Sequence, residues 1–505
     1  MSSRLISGIF SSWAGFLVSA LTSLLMAPHL VRTLGDDGYG LWCLYMSITG
    51  YFALLDFGVS PAIVRYTSKY QALGDSAAEQ RVVAAGLGFF LLTAGGLCLL
   101  ALGAYSYYDV LFPVPQVSLE VARQTFLLVS LDFALVLPCA VFQGVLLGHQ
   151  RFFALNLLNM LLRLLRFALV MTTLEAGSEG LVGVALIFFV TGLLRDLAYV
   201  YLARQVLGGL PNPLNTHLHT VRELLSYSLP AFIISISLRV QSYTDALVIG
   251  YVVGVGAITP FALAGSLVDY VQELGWGLTG VLVPVVSAHE AKGEHAAIQT
   301  QFLKFTRYCV WLMIPILAGA EALGRSFFIR WVGPEYGQSA ELLRILLWAM
   351  TIYVVQLPAQ AVLKGMGRHQ TLARFLGVEA IANLGLSIWW GQLWGVEGVA
   401  LGTLVPRLLL TGGLLTRHVL QVLKLPLMTL ASAVVRPALP GALVMTTLTW
   451  LHGYLFREPL SWLGLILSGG LFIAVYVVTT YTLALPPEEK RWLEQRVQAQ
   501  LQRLR

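Results

Sequence analysis

Charge is what this chain has least of. Only 11% of its 505 residues are charged, against 57% hydrophobic, and a water-soluble protein of that length could not clothe its surface with so few charges. Cysteine is scarce as well. Cys43, Cys98, Cys139 and Cys309 all fall in apolar stretches, and none stands in a Cys-x-x-Cys pair. That spacing argues against a disulfide framework or a thiolate metal site and leaves the four as small core residues. There is no nucleophile elbow, no His-Glu-x-x-His and no kinase set of motifs, so no catalytic residues, cofactor or metal are expected and the chain does not read as an enzyme. The run from Gly275 to Gly280 is glycine-rich but lacks the strand and lysine of a phosphate loop; close helix packing or bending is its expected use. The net charge of +6 comes without a basic stripe interleaved with aromatics, so nucleic acid is not an expected partner.

What the chain has is long apolar runs and a mean hydropathy of +0.75. About 20 apolar residues cross a bilayer core as a helix, and lipid permits no unpaired backbone, so such runs must be helical. Fourteen runs meet that length, near 5–30, 41–64, 83–105, 121–147, 153–174, 181–205, 227–252, 257–285, 305–324, 341–363, 373–393, 397–416, 432–454 and 460–484. The first is too long for a signal peptide and no small-x-small site follows it, so it is expected to be a span. With the N-terminus inside, the inner segments carry 21 Lys and Arg and the outer ones 6, which predicts both termini in the cytoplasm. The last 21 residues, 485–505, form a basic amphipathic tail expected on the membrane surface.

The first twelve runs fall into two related halves. The segment Tyr70–Asp75 stands against Glu290–Glu294, and Thr191-Gly192 against Thr411-Gly412. Pro138 lies eleven positions before His149-Gln150, as Pro358 does before His369-Gln370. Glu179-Gly180 opens the sixth run and Glu397-Gly398 the twelfth. Offsets of 218 to 220 recur throughout, and this pairing puts His149 and His369 in equivalent turns. The expected fold is therefore an all-α polytopic membrane protein of about 14 transmembrane helices. It divides into an N-terminal six-helix lobe (1–210), a second six-helix lobe (211–425), two extra helices (426–484) and the tail. Repeats of this kind usually place a substrate path at their interface, as transporters require.

Ionisable groups at bilayer depth cost about 2.5–3.5 kcal/mol each on insertion scales, so they should face a cavity or a partner. Arg163 and Arg166 share a face of the fifth run, Arg239 is central in the seventh and Arg407 lies in the twelfth. These four are the candidate substrate-binding cations, because guanidinium stays charged and grips phosphate oxygens bidentately. Asp56, Asp245, Asp269 and Glu273 are candidates for ion coupling or structural pairing; Asp132, Arg195, Asp196 and Glu379 complete the intramembrane set. The alternative for every one is pairing that locks helices together. Asp56, followed by Gly58 and Pro61, also reads as a kink whose freed amides the carboxylate satisfies.

Several stretches resemble those of bacterial polysaccharide-biosynthesis membrane proteins. They are LGDDGYGLW from Leu34 to Trp42, YFALLDFG from Tyr51 to Gly58, AIVRYTSKY from Ala62 to Tyr70, WVGPEY from Trp331 to Tyr336, and the glycine turn from Gly365 to His369. Together they are similar to the oligosaccharide flippases of the multidrug/oligosaccharidyl-lipid/polysaccharide exporter superfamily, over the first to the twelfth span. The resemblance implies two lobes arranged in a V and alternating access. It implies translocation of polyprenyl-pyrophosphate-linked oligosaccharide from the inner to the outer leaflet of the bacterial plasma membrane, for O-antigen, capsule or exopolysaccharide. Its functional partners would be a polysaccharide polymerase and chain-length or export proteins. A lipid II flippase and a multidrug or cation antiporter of the same superfamily remain as alternatives. A membrane glycosyltransferase would need a larger outer loop than this chain has.

Overall fold

The computed structural model of the protein describes residues 3–112, 117–174, 180–213, 218–456 and 459–504. These form α1 (Ser3–Phe52), α2 (Val59–Leu73), α3 (Ser76–Ser106), α4 (Leu119–Gly148), α5 (Phe152–Thr173), α6 (Gly180–Leu207) and α7 (Leu218–Val252). There follow α8 (Ile258–Thr279), α9 (Leu282–Ala291), α10 (His295–Trp331), α11 (Ser339–Gly365), α12 (His369–Pro406), α13 (Arg436–Leu455), α14 (Trp462–Thr479) and α15 (Pro487–Leu504). No strand occurs among the described residues. Polar residues mark the starts: the side chains of Asp75, Ser118 and Ser461 accept from the amides of Ala78, Val121 and Gly464, satisfying donors that a first helical turn leaves open.

Among the described residues, eleven helical stretches are long and apolar enough to cross a membrane. Two of these contain a glycine off the helix, Gly35 (φ 70°) in α1 and Gly395 (φ 61°) in α12. Both conformations are left-handed and favour a residue without Cβ. At Gly395 the chain doubles back: Glu379 binds Arg407, 28 positions later, whereas a straight helix would hold them about 42 Å apart. Counting the two limbs of each, and adding α7, gives fourteen long helices, matching the sequence expectation. The second span is itself broken. A 3-10 turn over Ala53–Asp56 leads to Phe57 (φ 47°) and Gly58 (φ 76°) before α2 begins. Asp56 Oδ1 accepts from the Ser60 amide at 3.0 Å and from its hydroxyl at 2.7 Å. Asp56→Ala, which strips both donors of their acceptor, should lower stability by about 1–3 kcal/mol in denaturant unfolding, and Asp56→Asn, which keeps Oδ1, should recover most of it. An unchanged midpoint in the alanine variant would mean that Ser60 finds another partner.

By packing, one compact unit comprises Met1–Ala262 with Ile388–Val399, and another Leu263–Ser387 with Ala400–Arg505. The lobe boundary at 210/211 was drawn from the repeat and stays a proposal; α7, seventh in order, packs in the first unit. There Gly50 lies against the Tyr243 ring and Tyr51 bonds Thr244 through their hydroxyls. The core of that unit is apolar, centred on Ile63, Phe90, Val141 and Leu146. In the second unit the two C-terminal spans pack on α10, where Tyr476 donates to the Trp311 carbonyl (2.8 Å) and Met445 and Phe472 bury against one another. The tail helix α15 folds against the same unit: Tyr481 donates to Glu494 at 2.7 Å and Arg307 pairs with Glu489.

The repeat is visible in three dimensions. Gly74 (φ 71°) and Gly293 (φ 70°) close the same turn at an offset of 219, with the amides of Asp75 and Glu294 reaching the carbonyls of Tyr70 and His289. Ser68 and Ser287 each donate to the carbonyl of a glycine, Gly148 and Gly365. Gly192 presses on Asp132, and Gly412 on Ile352, an offset of 220 on both sides. One pairing needs correction. The turn after α4 closes with the amides of His149, Gln150 and Arg151 on Val145, Leu147 and Leu146; after α11 those of Met366, Gly367 and Arg368 close on Val362, Lys364 and Leu363. The offset is 217, so His149 corresponds to Met366 and not to His369. His149 is tied to Glu79 (2.6 Å), while His369 begins α12 and is exposed. The expected pair Glu179-Gly180 falls partly outside the described residues, as Glu179 does.

The Gly275–Gly280 run does what its composition suggested. Gly275 sits so near Val354 and Leu357 of α11 that an added Cβ would lie 3.0 Å from each. The helix then breaks between Thr279 and Leu282.

Candidate functional site

Both units hold a group of polar residues on corresponding helices, the fourth to sixth spans of the first half and the tenth to twelfth of the second. In the first unit Arg166 of α5 donates from Nε to the Thr191 hydroxyl at 2.8 Å, and its guanidinium lies 4.1 Å from the centre of the Phe188 ring. The Thr191 proton goes to the Ile187 carbonyl (2.8 Å), so its oxygen is free to accept. Thr191 thus engages Nε and Phe188 the face of the guanidinium. Arg195 donates from Nε to Asp196 at 2.9 Å, and Asp196 is buried. Asp132 of α4 lies within electrostatic range of both Arg166 and Arg195. Tyr199 donates to Asn159 (2.8 Å), tying α6 to α5 one turn away. Arg163 is exposed on the same face of α5 as Arg166.

A second polar group in this unit joins α1, α2 and α7. Arg239 donates to the Tyr243 hydroxyl at 3.3 Å, stands 5.6 Å over that ring, and lies within electrostatic range of Asp56. Asp245, buried one helical position beyond Thr244, is within the same range of the Tyr51 hydroxyl.

In the second unit Arg407 and Glu379 form an ion pair at 3.1 Å, with 8% and 2% of their surfaces exposed. The Tyr353 ring lies 5.2 Å from the guanidinium, and its hydroxyl accepts from Trp276 Nε1 at 3.2 Å. Asn383 donates to Thr403 (2.8 Å) across the two limbs of α12. Glu379 Oε2 and Asn383 Oδ1 are buried acceptors without a hydrogen bond among the described residues. The nine residues from Arg407 to Leu415 are wound as a π-helix, a form frequent at functional sites; Ala431–Val435 and Thr480–Ala484 are wound likewise. Asp269 and Glu273, four apart on α8, interact with one another and are both exposed.

The structure thus brings Arg166 together with Arg195, Asp132 and Asp196, and Arg239 with Asp56. Arg407 lies with Glu379. Sequence spacing gave no hint of Thr191, Phe188, Tyr353 or Trp276 as their neighbours. Only Thr191 had been singled out, and that for its place in the repeat. Among the described residues no group of three or more His, Cys, Asp or Glu could hold a metal ion. What these groups offer is guanidinium oriented by a threonine hydroxyl, a carboxylate or aromatic rings, a cation suited to oxyanions.

The comparisons with known proteins agree with this architecture. The family described as "Polysaccharide biosynthesis protein" matches residues 5–289. An uncharacterized membrane protein of Bacillus subtilis, EpsK, is 20% identical over 374 residues, 74% of each chain. The lipid II flippase MurJ of the same organism is 21% identical over 439 residues, 80% of each. A solved structure of lipid II flippase MurJ in an inward closed conformation superposes with a TM-score of 0.70, at 15% identity over 94% of this chain and 99% of that one, which speaks for the fold. The chain is a multi-pass membrane protein and belongs to the polysaccharide biosynthesis protein family.

Proposed function

We propose that the protein translocates polyprenyl-pyrophosphate-linked oligosaccharide from the inner to the outer leaflet of a bacterial plasma membrane, with both termini in the cytoplasm. Arg163, Arg166, Arg239 and Arg407 would supply the cations that meet pyrophosphate and acidic sugars. The observation that carries the reading is Arg166, whose Nε is fixed by Thr191 and whose guanidinium face lies over Phe188, an arrangement that orients the cation. A planar guanidinium oriented in this way presents two parallel N–H groups to phosphate oxygens. A lipid-linked sugar cannot cross unaided, because its polar head would shed its hydration; a protein path that replaces part of those contacts lowers that barrier, and no chemical bond need change. The likeness to the flippase MurJ over most of both chains supports lipid II as the second reading for the cargo, since it too joins a polyprenyl pyrophosphate to sugar.

The test uses purified protein in proteoliposomes with fluorescent polyprenyl-pyrophosphate-linked oligosaccharide and, in parallel, fluorescent lipid II, each followed by access to an impermeant quencher. Protein-dependent translocation is expected, and it should fall roughly 10- to 100-fold in Arg166→Ala, the worth of one charge-assisted hydrogen bond. Arg166→Lys should recover part of it. Full activity in the alanine variant would remove Arg166 from the path. Movement of lipid II alone would transfer the protein to peptidoglycan.

A further inference from the structure

Two cavities of the second unit share a wall. One, of about 330 Å³, is a furrow between α10, α11 and α13 lined by Ile314, Leu317, Leu347, Trp348 and Met445. The other, of about 540 Å³, is a polar cup where α10 ends and α11 begins, lined by Arg325, Glu335 and Glu341. Ala320, Glu321 and Arg344 belong to both. Charge therefore sits at one end of an apolar furrow. The furrow runs down α10 from Glu321 to Ile314, about 10 Å along the axis.

The cup lies at the C-terminal end of the apolar stretch His295–Trp331, which is long enough to cross a membrane. At the same end of α10, Phe327 and Trp331 cluster with Trp462, ring centres 5.2 and 6.1 Å from Phe327, and tryptophan concentrates at membrane–water boundaries. The cup carries both signs of charge, three carboxylates and two guanidiniums. Its one ion pair among the described residues, Glu321–Arg344, is long at 3.5 Å and half exposed, the kind of pair that contributes little and exchanges readily.

We propose that this furrow and cup form a binding site for a phospholipid with a zwitterionic head bearing a primary ammonium, as in phosphatidylethanolamine. Arg325 and Arg344 face the phosphate. Glu321, Glu335 and Glu341 face the ammonium, and one acyl chain lies along Leu317, Trp348 and Met445. Charge complementarity selects this occupant. An anionic glycerol head would leave the three carboxylates unanswered, and a polyprenyl chain would use the furrow and ignore the cup.

The test uses the full chain in proteoliposomes containing, at equal mole fraction, photoreactive acyl-chain analogues of phosphatidylethanolamine or phosphatidylglycerol, with adducts mapped by mass spectrometry. Phosphatidylethanolamine should label the Leu317, Trp348 and Met445 segments roughly tenfold more than phosphatidylglycerol, the effect of one charge-assisted contact. Glu321→Gln and Arg344→Gln, both exposed positions, should each erode that preference. Equal labelling by the two lipids in the unaltered protein overturns the proposal without recourse to any variant. So does displacement of the phosphatidylethanolamine label by an equal mole fraction of polyprenyl phosphate, which would assign the furrow to the substrate's chain.

Discussion

Glu379→Ala should destabilise the protein by about 3–5 kcal/mol, because it removes the carboxylate that pairs with the buried Arg407 guanidinium. The pair is 3.1 Å long and nearly closed to solvent on both sides. Tyr353, itself held by Trp276, lies against the face of the guanidinium and brings no opposite charge. Arg407→Ala should cost a comparable amount by stranding the carboxylate. The double replacement Glu379→Leu/Arg407→Met should recover most of the loss, since neither charge then has to be desolvated. Denaturant unfolding in mixed micelles measures all three. Single variants as stable as the parent would mean that water reaches the pair. The double variant also separates the two roles open to Arg407. If it only locks the two limbs of α12 together, the double variant folds and still translocates. If it meets substrate, the double variant folds and does not.

Gly402→Ala and Gly385→Ala should move stability in opposite directions. Both glycines lie in α12, on its second and first limbs. A Cβ on Gly402 would stand 2.6 Å from the Ser387 amide nitrogen and 2.7 Å from its Cα. These are backbone atoms with no rotamer to escape through, so the limbs must part, at a cost of about 1–3 kcal/mol. The separation also stretches the Asn383–Thr403 bond (2.8 Å) and the ion pair one turn beyond. A Cβ on Gly385 meets nothing within 4 Å, and alanine there gains up to about 1 kcal/mol of helix propensity. Unfolding midpoints that fall for both would mean that Gly385 also has a neighbour; midpoints that rise for both would mean that the limbs are not in contact at Gly402.

Hydropathy alone located the fourteen helices, because length and apolarity are what a bilayer demands of each segment in isolation. The kink at Asp56 was legible for a similar reason: an acid, a glycine and a proline within six residues leave little else for that backbone to do. Partners were not legible. Glu379 and Arg407 were both noted as charges at depth, but joining them requires knowing that Gly395 takes a left-handed conformation and reverses the chain there. Arg166 was chosen for its charge, yet its orientation depends on Thr191 and Phe188, which lie on another helix and carry no charge to draw attention. His149-Gln150 and His369-Gln370 are identical dipeptides, and letters alone pair them. The backbone aligns by hydrogen bonds, and those put Met366 in the place of His149.

That turn has a wider consequence. Between the prolines and the turns the second half is three residues shorter, 138 to 148 against 358 to 365, and the offset returns to 220 by Thr191-Gly192 and Thr411-Gly412. Three residues are nearly one turn of helix. The first arm of the hairpin is therefore about 4.5 Å shorter in the second half, and three residues are regained between that turn and Thr411. Descent from a common half thus leaves its clearest trace in who touches whom, Gly192 on Asp132 and Gly412 on Ile352, while the turn keeps the shape of its bend and not its register.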